Sequence, residues 1–241
     1  MNDVFAFRTA WVSHVGLARE LNEDSVLVKP EIGLWAVADG MGGHGGGELA
    51  SRAVVEALTG VRPSKSARQL LDQFERTIVR VNSDLRALAS SRGVSVVGTT
   101  LVSLMIHGSH YACAWCGDSR AYLRRDGALL PVSRDHSEVQ ELIDRGLLDD
   151  EGARRWPRRN VVTRALGASD RAELELVDGP LSPGDRFLLC SDGLTAHVID
   201  REIAALIGCT GLQRAVDELL QLALDRGASD NVSIVLVDCE R

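Results

Sequence analysis

The feature that most constrains the fold is a series of short apolar runs, four of which have an aspartate at one end. Asp39 follows the run 34–38, Asp118 lies two residues after the run 113–116, and Asp192 lies two residues after 187–190. Asp230 precedes a last run that starts at residue 232. Runs of this length between polar or glycine-containing segments predict β-strands. Because strand ends of one sheet pair converge in space, we expect the four aspartates to lie close together.

The order of predicted elements favours an α+β layered fold over repeating βαβ units. Early strands at 11–15, 25–28 and 34–38 are followed by two helices, the second starting after a Ser66 cap and showing apolar residues at three- and four-residue steps. Four strand-like runs, at 99–106, 110–116, 121–124 and 128–132, then predict an antiparallel meander, with Asp126-Gly127 as a hairpin turn. Residues 136–160 are polar and helical, and predict a surface excursion. The remaining predicted elements are strands at 174–177 and 186–190, helices at 200–207 and 212–224, and a strand at 232–237.

Composition excludes several classes of protein. The formal net charge of -7 argues against nucleic acid as the main partner, since binding a phosphate backbone needs a positive face. The sequence has no apolar run of membrane-spanning length and no signal-peptide pattern. We therefore expect a cytoplasmic, monomeric protein in which residues 1–241 form one domain.

The cysteines have an ordinary explanation, whereas a cluster of arginines has two possible ones. The five cysteines are an odd number, which disfavours a disulfide framework, and Cys113 and Cys116 are better explained as strand residues than as a metal or redox pair. A cluster of arginines surrounds Trp156 and is either a solvated loop or a docking surface for acidic or phosphorylated substrates. Its members are Arg154, Arg155, Arg158 and Arg159.

Converging carboxylates indicate a metal site, because they cannot all stay ionised without cations to neutralise them. Hard oxygen ligands select Mg²⁺, Mn²⁺ or Ca²⁺, and we expect Mg²⁺ or Mn²⁺. Glu23 and Asp24 add two carboxylates before an early strand, with Arg19 just upstream. An arginine beside such a cluster is suited to hold a phosphate group through its planar fork.

The glycine-rich stretch 39–47 is not a nucleotide-binding loop. It lacks the Lys-Ser/Thr pair of a P-loop and the glycine spacing of a dinucleotide fingerprint. We predict instead that its backbone approaches a metal ion, with the carbonyl of Gly40 as a ligand.

Taken together, these motifs resemble those of the PPM family, the metal-dependent (type 2C) protein serine/threonine phosphatases, in their bacterial form. The resemblance spans almost the whole chain. The segments that carry it, in order, are 22–24 (NED), 38–44 (ADGMGGH), 98–100 (GTT), 117–122 (GDSRAY), 135–137 (DHS), 160–167 (NVVTRALG), 191–194 (SDGL) and 229–233 (SDNVS).

The resemblance implies a four-layer α-β-β-α sandwich of two antiparallel sheets flanked by helices, with two core metal ions at one end. It implies that Asp39 bridges both ions, that Asp192 and Asp230 complete the first site, and that Glu23 and the Gly40 carbonyl hold the second. Asp24 would act just outside these ligands. Asp118, together with Asp192, would bind a third ion, and Arg19 would clamp the substrate phosphate.

The resemblance leaves the leaving-group acid unassigned. Eukaryotic members carry a histidine where this sequence has Met41, which cannot donate a proton. We expect water on the third ion to be the donor, with His44 as a second candidate. Residues 137–159 resemble the family's flap, in which Arg155, Trp156 and Arg158 are candidates for substrate docking.

The function implied is hydrolysis of phosphoserine and phosphothreonine by metal-activated water, without a phosphoenzyme. The expected partners are phosphorylated proteins and a bacterial Ser/Thr kinase, either in type VI secretion or in general signalling. The alternatives are a catalytically silent phosphoprotein-binding pseudophosphatase and a nucleotide-binding switch, and the latter fails on the missing lysine.

Overall fold

The computed structural model describes residues 5–43, 45–209 and 211–240, apart from the side chains of Asp150, Arg154 and Cys209. The strands are β1 (Ala6–His14), β2 (Asp24–Lys29), β3 (Leu34–Met41), β4 (Gly98–Thr99), β5 (Leu101–His107), β6 (His110–Cys116), β7 (Arg120–Arg125), β8 (Ala128–Pro131), β9 (Glu175–Pro180), β10 (Arg186–Cys190) and β11 (Val232–Glu240). The helices are α1 (Gly46–Thr59), α2 (Ala67–Arg92), α3 (Glu138–Asp144), α4 (Asp150–Arg155), α5 (Asp192–Thr195), α6 (Asp200–Cys209) and α7 (Leu212–Asp225).

The strands form two antiparallel sheets. One has the order β1-β11-β10-β7-β8 and the other the order β2-β3-β5-β6-β9, with the short β4 paired to the end of β3. Alternation along β3 shows why these strands are apolar on both faces: Trp35 and Val37 pack between the sheets, whereas Leu34 and Ala36 pack against helices. The four-layer α-β-β-α sandwich is confirmed.

Helices cover the outer face of each sheet. The α2 stripe packs with α1 on the β2-β3-β5-β6-β9 sheet, and α6 and α7 pack on the other. The predicted Ser66 cap is confirmed, since its Oγ accepts a hydrogen bond from the Gln69 backbone N–H at 3.2 Å. Within the described part of the chain, no helix is both long and apolar enough to cross a bilayer.

The predicted four-stranded meander is wrong. β5 and β6 form a hairpin in one sheet, but β7 and β8 belong to the other sheet, so the chain changes sheets between Cys116 and Arg120. The turn depends on Gly117, whose φ of +113° lies in a region that L side chains rarely adopt. A Cβ at Gly117 would also lie 2.6 Å from the Thr100 Cβ. This change of sheet places Asp118 at the end that both sheets share.

The predicted surface excursion lies between β8 and β9 and contains α3 and α4. Its two ends are joined by an isolated bridge between Ser137 and Val162. The backbone N–H of Glu138 also donates to the Val161 carbonyl at 2.9 Å. We call residues 137–159 the flap.

Candidate metal and phosphate site

Asp39 and Asp24 face each other across two neighbouring strands. They are Cα partners in the β2–β3 register, which places both carboxyl groups at one end of the sheet. The Asp39 backbone is fixed from the adjacent segment, because its carbonyl accepts hydrogen bonds from the Thr99 hydroxyl and the Thr100 N–H, both at 2.8 Å. Sequence analysis placed these two carboxylates together, and the structure agrees.

Gly40 lies where no larger residue fits. A Cβ there would be 2.0 Å from the Gly47 carbonyl oxygen and 2.6 Å from the Glu23 carbonyl oxygen. The Gly40 N–H donates to that Glu23 carbonyl at 3.0 Å. A Cβ on Gly47 would lie only 2.6 Å from Glu23 Oε1, so the Glu23 carboxylate lies directly over this pair of glycines. The glycine-rich stretch thus makes room for Glu23 beside the Gly40 backbone.

Asp192 and Asp230 lie beside the ends of two neighbouring strands of the other sheet. Asp192 is the first residue of α5, directly beyond β10, and Asp230 precedes β11, which pairs with β10. Arg19 lies next to Asp230, with its Nη2 donating to Asp230 Oδ2 at 2.7 Å. The Arg19 side chain is 51% exposed, so a ligand in solvent can reach it.

The carboxyl groups are buried and lie near enough to influence one another's pKa. Burial, followed by the charges of Asp24, Asp192, Asp118 and Asp230, raises the pKa of Asp39 well above its usual range. Burial and the Asp192 charge raise the pKa of Asp118 to about 8. Burial raises the pKa of Asp192 to about 6, even though a hydrogen bond with Asp39 acts in the opposite direction.

Asp24 carries an unsatisfied oxygen. Its carboxylate is 8% exposed, and burial raises its pKa to about 7. Oδ2 accepts a hydrogen bond from the Ser191 hydroxyl at 2.8 Å, whereas the buried Oδ1 has no partner. Such a group is costly unless a cation or water compensates it.

The donor set fits a divalent cation that prefers oxygen ligands, since it consists of carboxylates around a backbone turn. Among the described side chains, however, no three or more His, Cys, Asp and Glu groups already form a ligand set. Binding a cation therefore requires side-chain rotation that brings three or more of these groups around it.

Several polar residues that support the carboxylates were given no role from the sequence. Asn231 accepts a hydrogen bond from the Glu23 N–H at 2.7 Å and donates to the carbonyls of Val15 and Leu21 at 2.9 Å. It thereby fixes the segment that carries Arg19 and Glu23. The signal available was its position beside Asp230 in the 229–233 motif.

Thr100 connects the two halves of the site. Its hydroxyl accepts a hydrogen bond from the Asp39 N–H at 3.2 Å and lies 2.8 Å from the Ser119 hydroxyl. The Thr100 hydroxyl therefore contacts both the Asp39 backbone and Ser119, the residue after Asp118. The Gly-Thr-Thr motif therefore joins the Asp39 strand to the turn between the sheets.

The predicted docking residues of the flap have their described contacts within the flap itself. Trp156 Nε1 donates to Glu138 Oε1 at 3.0 Å, and Arg158 forms an ion pair with the same carboxylate at 2.8 Å. Arg155 pairs with Glu151. His44 and the Arg154 side chain lie outside the described residues. The four described cysteines, including Cys113 and Cys116, are buried free thiols, as expected for strand residues.

Comparison with known sequences gives one family. The model of protein phosphatase 2C matches residues 17–236. Serine/threonine protein phosphatase PstP of Mycobacterium tuberculosis is 37% identical over 232 residues, which are 96% of this chain but 45% of the relative. This chain thus spans about half the length of that relative. Serine/threonine phosphatase stp of Listeria monocytogenes is 34% identical, with 92% of each chain covered.

Solved structures give the same result. PppA, described as a key regulatory component of T6SS in Pseudomonas aeruginosa, has a TM-score of 0.90 and 42% identity, with 97% of each chain covered. The catalytic domain of PstP, solved in complex with two manganese ions, has a TM-score of 0.90 and 35% identity over 99% of this chain and 100% of that chain. The matched sequence and the architecture agree with these comparisons, and the chain belongs to the protein phosphatase 2C family.

Proposed function

We propose that this chain is a protein serine/threonine phosphatase that hydrolyses phosphoserine and phosphothreonine with the help of divalent cations. The observation that carries the proposal is the cluster of five aspartates from separate segments at one end of the sheet pair, beside the exposed Arg19. The relatives named as serine/threonine phosphatases support the reaction class. Mn²⁺ is supported by the two manganese ions of the PstP structure.

The residues divide into core and outer cation ligands. We assign Asp39, Asp192 and Asp230 to the core site, with Glu23 and the Gly40 carbonyl on the side of the β2–β3 sheet. Bound cations would supply an activated water near neutral pH and neutralise charge on the phosphate. Asp24 would stay behind the ligands, where Ser191 holds its Oδ2.

Asp118 is the proposed ligand of a third ion, with Asp192. The support is proximity: after burial, the charge of Asp192 is the largest contribution to the raised pKa of Asp118, so the two carboxyl groups lie within electrostatic range of each other. Thr100 and Ser119 hold the Asp118 turn against the Asp39 strand.

Arg19 is the proposed phosphate clamp. Its guanidinium is held by one hydrogen bond to Asp230 and remains half exposed, so it is oriented toward the cluster while open to solvent. A planar guanidinium can bond two phosphate oxygens at once, which suits it to orient the substrate. Met41 ends β3 beside this site and offers no proton, so it does not serve as the leaving-group acid.

Phosphorylated proteins are the proposed substrates, and a Ser/Thr kinase the proposed opponent. The similarity to PppA supports a setting in type VI secretion, whereas PstP and stp carry no such setting in their names. Phosphoproteome comparison of cells with and without this chain would identify the substrates.

The test is hydrolysis of a phosphothreonine peptide with Mn²⁺, followed by release of inorganic phosphate. We expect activity that EDTA abolishes and that Asp39→Asn and Asp230→Asn reduce by at least about a hundredfold. Asp217→Asn, on the exposed face of α7, is the matched control and should keep full activity. Turnover that survives both EDTA and the two site substitutions would refute the assignment.

A further inference from the structure

His136 is a buried histidine outside the carboxylate cluster, in the loop between β8 and the flap. Its side chain is 6% exposed, and its ring stacks on Trp115 with centroids 6.2 Å apart and planes 18° apart. Trp115 supports the same loop a second time, since its Nε1 donates to the Arg134 carbonyl at 2.8 Å. The ring therefore has a fixed position and orientation.

His136 forms hydrogen bonds with both backbone groups of Gly117. Its Nδ1 accepts a hydrogen bond from the Gly117 N–H at 3.1 Å, and its own backbone N–H donates to the Gly117 carbonyl at 2.9 Å. Gly117 is the turn residue with positive φ directly before Asp118. Any shift of His136 must therefore move the turn that carries Asp118 or break these bonds.

The hydrogen bonds of the two ring nitrogens fix the tautomer of His136. Because Nδ1 accepts, the proton is on Nε2, which donates to Glu175 Oε1 at 3.1 Å. Arg164 Nη1 donates to the same Glu175 oxygen at 2.9 Å, so Glu175 is the acceptor that both donors share. Burial lowers the pKa of His136, in agreement with a neutral ring.

The His136 backbone also takes part in the hydrogen bonds that join the two ends of the flap, which we call the flap base. Its carbonyl accepts a hydrogen bond from the Thr163 N–H at 2.8 Å. Next to this hydrogen bond, Ser137 forms the isolated bridge to Val162. Ser137 also caps α3, since its Oγ accepts a hydrogen bond from the Gln140 N–H at 3.3 Å. The two ends of the flap and the Asp118 turn thus meet at one residue.

We propose that His136 is a positioning residue that couples the flap to the turn carrying Asp118, so that cation binding at Asp118 and ordering of the flap depend on each other. The proposal rests on the third-ion role of Asp118 in the proposed function. Such coupling is reciprocal: a cation that fixes the turn stabilises the flap, and an ordered flap raises the affinity for that cation.

Two substitutions separate the roles of the ring nitrogens. His136→Asn keeps an acceptor near the position of Nδ1, whereas His136→Gln places its polar group near Nε2 and leaves the Gly117 N–H without its side-chain partner. His110→Asn is the matched control, since His110 is exposed at the start of β6, away from the flap base.

The first measurement is hydrogen exchange of the flap, residues 137–159, with and without Mn²⁺, which needs no turnover. In the parent protein we expect Mn²⁺ to slow exchange in the flap. We expect His136→Gln to lose this effect and His136→Asn to keep most of it. The second measurement is calorimetric Mn²⁺ titration, where His136→Gln should weaken only the weakest site, by about tenfold.

Several results would overturn the proposal: no Mn²⁺ effect on flap exchange in the parent, an unchanged effect in His136→Gln, or equal losses in the Gln and Asn variants. If His136→Gln does not fold, Thr163→Pro provides the same test from the flap side, since it removes the N–H that donates to the His136 carbonyl, and an unchanged Mn²⁺ effect there would also refute the coupling. Peptide hydrolysis by the parent is measured separately. Its absence would count against the proposed function, whereas an absent Mn²⁺ effect on exchange counts against the coupling.

Discussion

Asp192 is the carboxylate best suited to measure the repulsion within the site. Asp192→Asn preserves the shape of the side chain and removes its charge. The folded-state pKa of about 6 is raised above the ordinary 3.8, so the folded protein holds this proton more tightly than the unfolded chain does. Stability from this group is therefore fully present below pH 4 and is lost as the pH rises through 6.

The expected gain follows from that difference in pKa. About two pH units correspond to about 3 kcal/mol of destabilisation by the ionised group at pH 8. The substitution also perturbs the hydrogen bond with Asp39, which costs about 1 kcal/mol. The net expectation in metal-free protein is a stabilisation of about 2 kcal/mol at pH 8, or a Tm higher by about 4–8 °C for a chain of this size.

The assay is urea or thermal unfolding in EDTA at pH 8, 6 and 4.5. The advantage of Asp192→Asn should shrink as the pH falls, because Asp192 becomes protonated in the folded parent. Saturating Mn²⁺ should reverse the order, since the parent gains binding free energy that the variant has lost. Asp217→Asn serves as control. A variant that is no more stable than the parent in EDTA at pH 8 would refute the interpretation that a buried, ionised Asp192 destabilises the metal-free protein.

Substitutions at three further positions test the parts around this cluster. Arg19→Ala should raise KM for a phosphothreonine peptide about tenfold. Arg19→Lys should recover only part of this loss of apparent affinity, because lysine lacks the planar fork. An unchanged KM in steady-state kinetics would contradict the role of Arg19 as phosphate clamp. Gly40→Ala should destabilise the protein by about 3 kcal/mol or more in urea unfolding, since its Cβ meets two backbone carbonyls. Asn231→Ala removes three hydrogen bonds and should cost about 3 kcal/mol while weakening Mn²⁺ binding at Glu23, measured by calorimetry.

Local sequence patterns were sufficient to predict most of the helices and strands. The predicted bounds of β6 (His110–Cys116) and β10 (Arg186–Cys190) agree with the structure because each apolar run ends at a turn or a charged residue. β1 was predicted too short: it begins at Ala6, but residues 6–10 (AFRTA) show no alternation of polar and apolar residues that would mark a strand. The short helix α5 was not predicted, since four residues are too few for a helical period.

Sheet membership could not be predicted from the same signals. β6 and β7 are separated by three residues, and their apolar residues would look alike in one sheet or in two. The distinguishing fact is burial on both faces of β6, with Cys113 between the sheets and Cys116 beneath the helices. That information depends on long-range packing rather than on periodicity.

The charged residues of the site were predictable and their supports were not. Carboxylates at strand ends are visible one at a time, and eight ordered motifs assign them together. Asn231 and Ser191 act through partners more than 160 residues away in sequence, on Glu23 and Asp24. No local pattern distinguishes such an amide or hydroxyl from a turn residue.

The location of the site explains how the fold tolerates its repulsion. The carboxylates lie at strand ends, beyond apolar layers that bury Trp35, Phe187 and Val235 between the sheets. Burial of such side chains contributes about 1.5–3 kcal/mol each, so a few of them offset a cluster whose ionisation costs several kcal/mol at neutral pH. Cations that neutralise the cluster would remove that cost. The protein should therefore be most stable with cations bound at the pH where it is active, and metal removal should destabilise it most at alkaline pH.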